Sequence, residues 1–96
     1  ALGCIETCKA DGRDLSQMQF YGIDGLGDAC LSIQAGELTA SVLQDANDMG
    51  ENAARMIYDM ITKNAPREEY LITPIKIDES NVEEIIAIHK ETGALD

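Results

Sequence analysis

Tyr21-Gly22-Ile23-Asp24-Gly25, and then Thr39-Ala40-Ser41-Val42-Leu43-Gln44-Asp45, decide the reading of this chain. Each is a short apolar run that ends in a polar side chain at a turn. In an open parallel α/β sheet, ligands gather at the carboxyl ends of the strands. A carboxylate at one strand end and a carboxamide at the next suit a small polyhydroxylated ligand. The carboxylate makes short, charge-assisted bonds to hydroxyl donors. The carboxamide both donates and accepts, matching the dual character of a hydroxyl.

The segments around these runs alternate between helix and strand signals. Residues 2–10 read as a helix with Gly12 as its stop, and no Ser, Thr, Asp or Asn precedes Leu2 to cap it. A short helix follows over 28–35, with Asp28 at its favourable N-terminus and Gly36 at its end. Residues 38–43 form the next strand. Asn47 is read as the cap of a longer helix to 64, stopped by Pro66, with Met49, Ala53, Met56, Ile57, Met60 and Ile61 on one face. That methionine row reads as core packing. Residues 70–77 are extended, and Pro74 favours an edge strand. Ser80-Asn81-Val82-Glu83 has the form of a capping box and opens a last helix, closed by Gly93. The order α-β-α-β-α-β-α predicts an α/β fold with a three-layer parallel sheet and flanking helices.

Composition narrows the function classes. The chain has 96 residues, enough for one small domain that buries roughly 60–65% of its unfolded surface. Seven basic against eighteen acidic residues give a net charge of −11, which repels phosphate backbones and argues against nucleic acid as a partner of this segment. No apolar run approaches the ~20 residues that span a bilayer. No secretory leader is visible at Ala1, so export would need a targeting segment upstream.

The three cysteines, Cys4, Cys8 and Cys30, read as small apolar fillers and not as a disulfide framework. With His89 the single histidine, neither a zinc pattern nor a Ser-His-Asp or Cys-His set assembles. His89 itself reads as a partly exposed surface residue, and Tyr21 and Tyr70 as core or hinge residues. Asp24 and Asp28 lack the Asp-x-Asp spacing of aspartate phosphatases, so no catalytic residue, metal or cofactor is expected.

The order of these motifs resembles the C-terminal part of the type I periplasmic sugar-binding proteins of the ribose- and galactose-binding kind. The resemblance rests on Gly12-Arg13-Asp14, the strand ending in Asp24-Gly25, Gln34 to Ala40, and Gln44-Asp45 with Met49-Gly50. Ala46 departs from it, because proline often follows the Gln-Asp pair in that family. The resemblance implies an incomplete part of a periplasmic-binding-protein-like fold. Residues 1–44 and 70–96 would belong to the C-terminal lobe, and 45–69 would supply a helix of the N-terminal lobe. An Asn-Asp motif and the aromatic sugar-stacking residues would precede Ala1.

It implies, further, that Asp24 and Gln44 bind sugar, with Gln44 near the hinge, and that the protein delivers its sugar to an ABC transporter permease. The location implied is periplasmic or extracellular, with lipid anchorage to the cell membrane as one form of it. An effector domain of a LacI-type transcription regulator is the alternative, since that family shares the fold and site placement. The uncapped start and small sheet also predict that the isolated chain is dimeric or loosely folded.

Overall fold

The computed structural model describes all 96 residues, which divide into two compact units. The first comprises Ala1–Leu43 and Ile75–Asp96, the second Gln44–Pro74.

The first unit contains helices α1 (Leu2–Ala10) and α2 (Gly27–Gln34), strands β1 (Tyr21–Ile23) and β2 (Ala40–Leu43), and a 3₁₀ turn at Leu15–Gln17. Strand β3 (Ile75–Ile77) and the last helix complete it; that helix is α4 (Val82–Glu91), because α3 (Ala46–Thr62) forms the second unit. The three glycine stops are all found in the left-handed region, at φ of 69° for Gly12, 81° for Gly36 and 77° for Gly93. Such stops are encoded locally, because only glycine enters that region without a Cβ penalty.

The strand order is β1-β2-β3. β1 and β2 are parallel, with Tyr21 opposite Ala40 and Ile23 opposite Val42. β3 runs antiparallel to β2, with Ser41 opposite Ile77, so the sheet is mixed and not wholly parallel. The rule behind the parallel expectation concerns a crossover helix packed within one layered unit. The connection between β2 and β3 instead passes through α3, the helix of a separate unit. β3 is an edge strand, as Pro74 suggested.

Alternation along the strands divides the sheet into two unlike faces. Ser41 and Ile77 lie on one face and are almost completely buried. There they join a core of Ile5 from α1, Ala29, Cys30 and Ile33 from α2, Leu38, and Val82, Ile85 and Ile86 from α4. Tyr21, Ile23 and Val42 point to the opposite face and are exposed. Within the first unit there are therefore two layers, one of strands and one of helices. Tyr21 is accordingly not a core residue, and neither is Tyr70, which is 51% exposed.

Three further expectations change at the helix ends. Asp45, not Asn47, caps α3: its Oδ1 accepts from the N–H groups of Asn47 and Asp48, both at 3.1 Å. α3 ends at Thr62, with Lys63 as its cap and Asn64 at a φ of 52°, so it stops before Pro66 acts. The capping box at Ser80 does not form. Asp78 gathers the turn instead, accepting from the N–H and hydroxyl of Ser80, while Asn81 Oδ1 accepts from the Asp78 N–H at 2.9 Å.

In the second unit α3 has no buried residue, and Met49, Ile57, Met60 and Ile61 are exposed. Its apolar stripe is real, but within this chain it is not core packing. Of the cysteines, only Cys30 is buried as a filler; Cys4 is exposed and Cys8 half-buried. No helix is long and apolar enough to cross a membrane.

Candidate functional site

The turn after β1 holds the non-glycine residue of the first unit that has a positive φ. Asp24 has a φ of 91°, where a non-glycine residue is rare, and Gly25 follows at 56°. A conformation of this kind costs of order 1–3 kcal/mol and persists only where the surroundings over-determine it. Here they do. The Asp24 N–H donates to the Val42 carbonyl at 2.7 Å, continuing the ladder past the end of β1. The Gly25 N–H donates to Ser41 Oγ at 3.1 Å. The Gly25 carbonyl accepts from the Cys30 thiol at 3.5 Å and from His89 Nε2 at 2.8 Å.

Each partner has a structural reason to be where it is. Ser41 is on the buried face of β2, in register with Gly22. Cys30 is on α2, one turn in from the loop, and burial pushes its thiol pKa up, so it stays protonated and able to donate. His89 is on the last turn of α4, whose packing on α2 through Val82, Ile85 and Ile86 brings it across. Gly25 is itself buried, and a Cβ there would meet Ile77 Cδ1 at 2.7 Å and Leu43 Cβ at 3.1 Å. Only glycine fits both the dihedral and the space.

All of these bonds are made by the backbone of Asp24 and Gly25, so the carboxylate of Asp24 takes no part in holding the turn. It projects from the strand end and is exposed. Gln44 follows directly on β2, whose parallel pairing with β1 ends both strands at the same edge of the sheet. Gln44 is exposed and opens the second unit, immediately before the Asp45 cap of α3. Sequence reasoning had placed each residue at a strand end, and both are found there.

His89, read as a partly exposed surface residue, is half-buried; its bond to the turn across 64 positions of chain is what the sequence does not show. Ser41 and Cys30 were not singled out as contacts of the turn either. No local signal carries these contacts. A cavity of about 310 Å³ opens beside the turn, lined by Leu2, Gly3, Gly22, Ile23, Leu26 and Asp28 among others. No group of three or more His, Cys, Asp or Glu side chains is placed to hold a metal ion.

Comparison with known proteins bears on this arrangement. No family model matches the chain. The crystal structure of Caulobacter myo-inositol binding protein bound to myo-inositol superposes with a TM-score of 0.80 and 28% identity. The match covers 91% of this chain and 30% of that one. A Rhizobium meliloti protein named for rhizopine binding is 42% identical over 53 residues, 55% of this chain and 17% of the relative. The chain resembles the type I periplasmic sugar-binding proteins in sequence and in fold. It spans less than a third of the length of either match. The three-strand mixed sheet and its helices are thus part of a periplasmic-binding-protein fold, with the Asp24 turn on a strand end of it.

Proposed function

We propose that this chain supplies one wall of a carbohydrate-binding site, in which the Asp24 carboxylate accepts hydrogen bonds from ligand hydroxyls and the Gln44 carboxamide adds a second contact. The observation that carries this reading is the Asp24 turn. An exposed carboxylate sits on a strained backbone that four hydrogen bonds hold in place, none of which uses the carboxylate itself. Strain of this kind concentrates at ligand clamps. The similarity to a myo-inositol binding protein and to a protein named for rhizopine binding supports a polyhydroxylated ligand.

The chain acts as part of a binding protein and not as an enzyme. Residues 1–44 and 70–96 belong to the C-terminal lobe and 45–69 to the N-terminal lobe, so the two lobes close on the sugar as a hinged clamp. The division of the chain into units at Leu43 and Ile75 supports that assignment. The protein is exported to the periplasm or cell exterior and hands its sugar to an ABC transporter permease.

The test is calorimetric titration of the full-length protein with myo-inositol, D-ribose and D-galactose, for wild type and for Asp24→Asn. Asparagine tolerates positive φ and keeps the shape, so the change isolates the charge. A hydrogen bond to a charged group contributes ~1.5–3 kcal/mol, so affinity should fall about ten- to a hundred-fold. Unchanged affinity would remove Asp24 from the site.

A further inference from the structure

We propose that His89 is a positioning residue for the ligand-binding turn: its Nε2–H grips the Gly25 carbonyl and so holds the Asp24 carboxylate where a hydroxyl-rich ligand meets it. The inference rests on the reading of Asp24 as a ligand group and deepens it.

The geometry is specific. His89 Nε2 lies 2.8 Å from Gly25 O, in a half-buried setting. A carbonyl only accepts, so the ring carries its hydrogen on Nε2, and the neutral tautomer and the imidazolium both satisfy the bond. The His89 backbone is itself tied down, since its carbonyl accepts from the N–H groups of Ala94 at 2.8 Å and Leu95 at 3.1 Å, where the chain turns after α4. Its helix is fixed to the core through Val82, Ile85 and Ile86. The ring therefore reaches the turn from a rigid base.

Gly25 is buried, and its two backbone polar groups are both satisfied by side chains: Ser41 on the N–H side, and on the carbonyl side Cys30 from the following helix and His89 from 64 positions away. A buried peptide group that loses its partner favours a rotation that finds another. Of the two donors to the carbonyl, the thiol is weak and 3.5 Å away. Removing His89 leaves little to oppose rotation of the peptide between Gly25 and Leu26, one residue beyond Asp24. Asp24, at a φ of 91°, has strain to release once its neighbour Gly25 readjusts to that rotation. A group that must sit within about half an ångström of its productive position loses affinity when its support loosens.

The experiment uses the full-length protein with myo-inositol, D-ribose and D-galactose as probes. His89→Phe keeps a ring of similar volume without a donor, and His89→Gln returns an N–H at comparable reach. Affinity should fall on the order of tenfold in His89→Phe and recover in large part in His89→Gln. The melting temperature without sugar should not follow that order.

Loss in both variants in step with melting temperature would make His89 merely structural and overturn the proposal. Unchanged affinity in His89→Phe, with affinity lost in Asp24→Asn, would overturn the positioning role and leave the binding site standing. Unchanged affinity in Asp24→Asn, or a wild type that takes none of the three probes, removes the site and this role with it. Should His89→Phe not fold, a ¹⁵N titration of wild type decides. The His89 ring resonance shifts with sugar in parallel with the Asp24 amide, and a ring silent to saturation refutes the coupling.

Discussion

Replacing Gly25 by alanine tests how tightly the turn is built, and Gly36→Ala supplies its reference. Both glycines have positive φ, 56° and 81°, so each alanine meets the same kind of backbone penalty. That penalty is about 1–2 kcal/mol, partly offset by the ~0.4–1 kcal/mol that a stiffer unfolded chain returns. The space around them differs. A Cβ at Gly36 has nothing within 4 Å, whereas one at Gly25 lies 2.7 Å from Ile77 Cδ1, 3.1 Å from Leu43 Cβ and 3.3 Å from Leu43 Cα. Ile77 has no exposed surface into which it could swing, and the Leu43 Cα belongs to the paired strand β2. Overpacking of this sort costs ~1–3 kcal/mol.

Gly25→Ala should therefore lose roughly 1–3 kcal/mol more than Gly36→Ala in urea unfolding, with the same slope against denaturant. Gly25→Ala should also weaken sugar binding, since the backbone must shift beside Asp24. Equal losses in the two variants would show that the turn yields freely and would refute the account of a clamped site.

Two other predictions concern stability and association. Asp78 is held at a pKa of about 2, below its ordinary 3.8, first by the Ser80 hydroxyl and then by Lys76. A carboxylate with a depressed folded-state pKa contributes stability above the unfolded value, and that contribution is lost as pH falls through the folded one. Acid melts of wild type should thus show a decline between about pH 4 and pH 2 that is smaller in Asp78→Asn; matching acid profiles would remove Asp78 as a cause. The 96-residue chain produced by itself should self-associate through the apolar stripe of α3, where Ile61 is 78% exposed, beside a segment whose Leu71 is 79% exposed. Ile57→Lys with Ile61→Lys should reduce the association in light scattering, and a strict monomer before mutation would contradict it.

Much of the chain was legible because its signals are local. The helix stops at Gly12, Gly36 and Gly93 need only a residue without a Cβ. The stripe of α3 needs only its 3.6-residue period, and the exposed polar ends of β1 and β2 need only an apolar run followed by a turn. Caps were less legible, because neighbouring residues compete for them. Asp45 and Asn47 both offer a capping oxygen, and Asp45 Oδ1 took the N–H groups at the start of α3. Ser80 was drawn away from its capping role by the adjacent Asp78.

The sequence by itself determined the α/β class and the strand-end positions of Asp24 and Gln44. Only the tertiary structure decided that β3 opposes β2, that the helices of the first unit lie on one face of the sheet, and that His89, Cys30 and Ser41 converge on the two backbone groups of Gly25. The physical reason is range. A dihedral preference or a helical period is written within a few neighbouring residues. A bond between α4 and the end of β1 exists only because α4 packs on α2, and that packing is a property of the whole core.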